Sequence, residues 1–147
     1  MNKMKPTKFD QDFVNKLIKQ KEGKTLDFKQ KINSKEKIAK TLGAMANTEG
    51  GFILVGLSDK KKITGIDPEE ERYMIESANE EFCVPRVSIA VKEIKVRNEK
   101  YPMFSDEEEI SLLLVIVKKS EGPIIFCKSS NGEMKAYKRV HDQTLAV

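Results

Sequence analysis

The sequence predicts an α+β fold: one domain over residues 1–147, with a mixed, mostly antiparallel sheet and about three helices packed against it. Three observations carry this expectation. Phe52–Leu57 and Ile110–Val117 are continuous apolar runs of strand length, as in strands covered on both faces. Segments with apolar residues at helical spacing fall between the strand-like ones. Finally, Asn131-Gly132 separates "PIIFCK" from "EMKAYKRV", which predicts a hairpin with a primed turn. At 147 residues the chain suits one compact domain.

Taken in order, "FDQDFVNKLIKQ" sets Phe13, Leu17 and Ile18 on one helical face, with Asp10 or Asp12 as the cap. "KTLDFKQKI" alternates Leu26, Phe28 and Ile32, so a short strand turns Asp27 and Lys29 to its other face. Asn33 or Ser34 caps a helix to about residue 47, with Ile38, Leu42 and Met45 as its apolar stripe. Gly50 and Gly51 end that helix and lead into the first apolar run. "SDKKKITGID" gives a turn and a short strand at Ile63. Asp67-Pro68-Glu69-Glu70 then opens a helix, with Tyr73, Met74 or Ile75, and Ala78 inward. In "RVSIAVKEIKV" the alternation slips by one residue between Val91 and Ile94, predicting a bulge or twist near Lys92-Glu93. "NEKYPMFSDEEE" reads as a charged connection, with Asp106–Glu109 as a solvated loop.

Hydrophobic residues make up 39% and charged residues 34%, which fits a folded, well-charged protein and not a disordered one. No apolar run approaches the roughly 20 residues of a membrane helix. The N-terminal lysines precede no apolar stretch of the kind a secretory signal needs. Cys83 and Cys127 stand alone, which predicts reduced core residues and a cytoplasmic protein. Residues 1–40 hold twelve lysines against five acids, a net charge of +7, whereas the rest of the chain carries −3 of the total +4. A basic N-terminal third suits a polyanionic partner, and equally a solvated lysine surface.

"KEGKTLDFKQ" superficially ends like a phosphate-binding loop. Counting back from Gly23, however, the first glycine of such a loop falls on Ile18. A helix precedes the stretch and a strand follows it, the reverse of what wraps a phosphate at a helix N-terminus. No nucleotide cofactor is predicted. "NTEGG" likewise follows a helix and precedes a strand, so it is a cap and turn and not a dinucleotide fingerprint. His141 has no second His or Cys at metal-ligand spacing.

Three motifs in order, Glu22–Lys29, Ala44–Gly51 and Phe52–Asp59, closely resemble the Schlafen-type AlbA-like domain. That family carries E-x-x-x-[LV]-E-F-K, then A-[FM]-A-N-T-x-G-G, then an apolar strand into G-[VIL]-x-D. The specific match covers about residues 20–67. The resemblance implies a nucleic-acid-binding domain of a bacterial regulatory or defence protein, acting on DNA or structured, tRNA-like RNA. It implies as an alternative a divalent-metal-dependent endoribonuclease, since the animal members use an acidic triad at positions corresponding to Glu22, Asp27 and Asp59. Those residues would hold Mg²⁺ or Mn²⁺, hard ions that suit oxygen ligands, and Lys29 would hold the phosphate. Asp27 departs from the family's Glu and Ser58 from a common acid. Lys24, Lys31, Lys60, Lys61, Lys62 and Arg139 are the expected nucleic-acid contacts. A homodimer, or a dimerisation or ligand-sensing module, is the third expectation.

Overall fold

The central unit is a parallel β1–α2–β2 crossover, in which β1 (Leu26–Lys29) and β2 (Gly51–Val55) are joined by α2 (Lys35–Ala46). The computed structural model describes residues 8–97 and 109–147, with the side chains of residues 8 and 9 left out. Of the connection expected over 98–109, residues 98–108 lie outside the described residues, and Glu109, expected in a solvated loop, instead opens a strand paired with Arg97. Helix α1 (Lys8–Lys19) precedes this unit. After it come α3 (Pro68–Phe82), β3 (Cys83–Val84), β4 (Ile89–Arg97), β5 (Glu109–Val117), β6 (Phe126–Lys128), β7 (Met134–Val140) and β8 (Gln143–Ala146).

The strands form two four-stranded sheets, in the orders β1-β2-β5-β4 and β3-β6-β7-β8. Among the described residues, only the β1–β2 pair is parallel. The α+β class therefore stands, with its strands divided between two sheets.

Both faces of the first sheet are buried. On one face Ile53, Val55, Leu113, Val115 and Val117 pack with α2 and α3. On the other, Leu26, Leu54, Leu112 and Leu114 pack with Val14 and Leu17 of α1. This explains the slipped alternation in β4, which pairs with β5 from Ile89↔Val117 to Arg97↔Glu109 without a bulge. Ile89 and Val91 face the α2–α3 side, and Ile94 and Val96 face the α1 side. The strand passes from one helix layer to the other, so its apolar face changes while its register does not.

Helix α2 lies between the sheets and is buried over eight of its residues, Gly43 among them. A Cβ at Gly43 would come within 3.0 Å of Cys127 Sγ, so the absence of a side chain there sets how closely β6 approaches. Ser34 caps α2, accepting from Lys37 N, and Asp67 caps α3, accepting from Glu69 N and Glu70 N. Ile75 and Ala78 of α3 are buried as expected, but the other inward residues differ. Tyr73 is exposed beneath the Lys35 ammonium, while Glu71 and Asn79 are buried. Their polar atoms are satisfied by backbone: Glu71 accepts from Ile32 N, and Asn79 bonds both N–H and C=O of Val87.

Two further expectations change. Ile63 makes only an isolated bridge to Leu57. The β6–β7 hairpin forms, but its turn is not a primed two-residue one. Gly132 N donates to Ser129 O, Ser129 N donates to Glu133 O, and Gly132 has φ 87° while Asn131 stays at negative φ. This is the three-residue loop with a glycine bulge.

Candidate nucleic-acid interface

Strand β1 lies at the edge of its sheet, and the segment before it folds back to cover that edge. Gly23 N donates to Leu26 O, and Phe28 N donates to Glu22 Oε1 at 2.7 Å. A main-chain edge that would otherwise present open groups is thereby closed. The parallel approach of β1 and β2 depends on Gly51 (φ 139°), where a Cβ would fall 2.1 Å from Thr25 O.

Asp27 pairs in register with Ile53 and so turns to the α2 side, where it is 3% exposed. Arg139 of β7, 4% exposed, reaches it from the second sheet: Nη2 donates to Asp27 Oδ1 at 2.7 Å. Arg139 also donates from Nε to Gly23 O and from Nη1 to Thr144 Oγ1. The second carboxylate oxygen lies 3.1 Å from Lys29 Nζ, in a direction that makes no hydrogen bond. One buried acid thus holds a buried arginine and a half-exposed lysine. Arg139, expected on the nucleic-acid face, is instead an internal tie between the sheets. It is screened from any phosphate outside.

The "ANTEGG" segment makes a second tie. Asn47 Nδ2 donates to Ile125 O and Tyr137 O, and Asn47 Oδ1 accepts from Ile125 N, all at 2.8–2.9 Å. Thr48 Oγ1 accepts from Arg139 N and donates to Ala44 O. The Asp27 segment, expected to be functional, and the "NTEGG" segment, expected to be a cap and turn, thus both fasten the second sheet onto α2 and β1.

Asp59 is exposed in the turn after β2, where Ser58 N donates to Lys62 O and Lys61 N donates to Ser58 O. Glu22 is also exposed, with one oxygen on the Phe28 amide. Among the described residues, no three side chains of His, Cys, Asp or Glu gather so as to hold a metal ion. A divalent cation at Asp27 would also sit beside the buried Arg139 guanidinium, where like charges repel. The donor set, as arranged, does not fit the Mg²⁺ or Mn²⁺ site that the triad implies.

The structure does bring together a set of lysines. Lys29 O accepts from Gly56 N and Leu57 N, which sets the 58–62 turn against the C-terminal end of β1. From the same end the chain runs through Lys31 into α2. A cavity of about 190 Å³ opens there, lined by Lys29, Lys31 and Lys37 together with Asn33, Ser34 and Thr41. Lys60 and Lys62 are exposed on the neighbouring turn. Lys61 is committed: its Nζ donates to Gln20 O and lies 5.5 Å from the Phe28 ring. Lys24 is exposed beside Gly23, on the covered edge of β1. Lys37 was missed by the sequence reading. The signal that could have found it is its place three residues past the Ser34 cap, in the first turn of the helix after β1.

The two cysteines face each other across β3 and β6. The neighbouring Cys127 thiol and burial push Cys83 far above the usual thiol range. Both thiols donate to Ala39 O and belong to the core.

A solved structure, that of the DIP2311 protein from Corynebacterium diphtheriae, aligns with 95% of this chain at a TM-score of 0.51 and 18% identity. That likeness concerns the fold. The chain spans 31% of the length of that protein. No curated protein matches the sequence. No described helix is long and apolar enough to cross a membrane. The family model described as Schlafen, AlbA_2 matches residues 22–147, from the start of the β1 edge cover through both sheets, and the chain belongs to that family.

Proposed function

We propose that this domain binds the backbone of nucleic acid, DNA or structured RNA, at the lysine-rich end of the β1–α2–β2 unit. The observation that carries the reading is the cavity lined by Lys29, Lys31 and Lys37 at the C-terminal end of β1, with Lys60 and Lys62 on the adjoining turn. Ligands of open α/β units gather at the carboxyl ends of parallel strands, where the next helix begins. Lysines at such a place act as mobile point charges toward phosphate and carry no base-reading geometry. The expected partner is therefore a polyanionic backbone, recognised with little sequence preference, within a regulatory or defence protein.

Titration of labelled tRNA and duplex DNA by fluorescence anisotropy at two salt concentrations tests this. Affinity should fall steeply with salt, since each neutralised phosphate contributes a slope of about −0.9 on a log–log plot for duplex DNA. The triple variant Lys29→Glu, Lys31→Glu, Lys37→Glu should lose binding of both ligands. Retention of wild-type affinity in a folded triple variant would sink the proposal.

A further inference from the structure

Among the described residues, the second sheet is covered on one side only. Its inner face, with Cys83, Cys127 and Tyr137, packs on α2. By strand alternation the outer face carries Val84, Phe126, Ala136 and, one residue past β8, Val147, which register as one row across all four strands. Leu145 and Met134 lie in the rows on either side. Of the seven exposed large hydrophobic residues among those described, five (Val84, Phe126, Met134, Leu145 and Val147) lie in this patch. Phe126 is 40% exposed and Val147 78%. A contiguous apolar patch of this kind marks an interaction surface, whereas single exposed apolar residues do not.

Charge and size narrow the occupant. The charged residues facing outward from the four strands are Lys128 and Lys138. No outward position carries a carboxylate, and Glu133 and Asp142 sit on the turns at the two ends of β7. A face with two lysines and no carboxylate side chain is complementary in charge to an acidic partner and not to a second copy of itself. Four strands about 4.8 Å apart, the longest of seven residues, give a face of roughly 15–20 Å by 20–25 Å, on the order of 300–500 Å², short of the roughly 800 Å² per partner in a standard stable interface. Single-stranded nucleic acid needs successive aromatic rings to stack on, and Phe126 is the one aromatic side chain this face presents. A short peptide segment fits where these do not.

We propose that the outer face of the second sheet, centred on Phe126, Leu145 and Val147 and flanked by Lys128 and Lys138, docks an amphipathic segment of a partner protein that carries Asp or Glu beside its apolar side chains. The docking surface is separate from the lysine-lined cavity, so the domain holds two partners of different chemistry on different faces.

A displayed random-peptide library selected on the intact chain, with counter-selection on Phe126→Glu, is the test. Enriched peptides should combine apolar and acidic residues, and their synthetic forms should bind Phe126→Glu at least about tenfold more weakly than wild type, as for a central interface residue. The double variant Lys128→Glu, Lys138→Glu leaves the apolar row intact. It should reject those peptides and accept their lysine-substituted counterparts, and circular dichroism melts confirm that each variant is folded. Failure to enrich any peptide that depends on Phe126, or enrichment of basic peptides, overturns the proposal. Concentration-dependent dimerisation in sedimentation that Phe126→Glu abolishes overturns it in favour of a second copy. Oligonucleotide binding lost in Phe126→Glu overturns it in favour of nucleic acid.

Discussion

The two sheets are built under different rules. The first lies between helices on both faces, and β2 and β5 are therefore apolar at nearly every position. The second has one face on α2 and one in solvent, and it is held by a few polar ties as well as by apolar packing. Stability in the first sheet is spread over many side chains, each replaceable at a moderate cost. In the second it is concentrated in the residues that fasten it.

The largest effect expected from a single substitution follows from this. Arg139→Ala removes the partner of a buried carboxylate and frees Gly23 O and Thr144 as well, so it should cost about 3–5 kcal/mol, the usual result of breaking a buried pair. Replacing both Asp27 and Arg139 by apolar residues of similar volume should recover most of that loss, because the desolvation cost disappears with the charges. Urea melts of the two single variants and the double variant measure the coupling. A single-variant cost no larger than that of a surface change would break the contrast between the sheets.

Next in size is Leu113→Ala in the fully buried centre of β5, with an expected cost of about 2–5 kcal/mol from lost transfer energy and the cavity left behind. Its signature should differ from that of Arg139→Ala. Global unfolding should ease across both sheets, whereas the arginine variant should open the second sheet first. Amide exchange resolved by residue distinguishes the two outcomes.

The first sheet was legible in the sequence because double-sided burial writes itself as an apolar run. The second was legible only where a turn signal marked it, at β6–β7. Strand β8 escaped because its hairpin turns on His141 at φ 55° followed by Asp142, without the glycine that announces such turns. Strand β3 has two residues, too few for any alternation to register. The shift of β4 between two helix layers looked like a bulge because one sequence carries no record of which layer covers which half. The site divides in the same way. Lys29, Lys31 and Lys60–Lys62 could be found as local charge. The Asp27–Arg139 pair spans 112 residues, and each partner looked like part of a surface. Periodicity places a charged residue on a face and is blind to what the other sheet brings against that face.

A smaller effect sharpens the same point. Asn47→Ala removes three hydrogen bonds and leaves Ile125 N, Ile125 O and Tyr137 O without that partner. An unsatisfied buried group costs about 1–3 kcal/mol, and part exposure at this position places the variant toward the lower end. Protection of β6 and β7 amides should fall while that of β2 and β5 holds. Equal loss in both sheets would mean that the tie stabilises the whole fold and not the second sheet in particular.

The smallest expected effect is at the bare face. Phe126→Ser removes the largest apolar side chain there, yet this residue is 40% exposed and belongs to neither buried core cluster. Folding stability should change by less than about 0.5–1 kcal/mol, since surface changes away from buried features are nearly neutral. Solubility should rise, because the apolar row loses its centre. A loss of 2 kcal/mol or more, on the order expected of a buried side chain, would show that the outer face contributes to the fold. A neutral result leaves the apolar residues of this face unexplained by folding, as a surface kept for a partner requires.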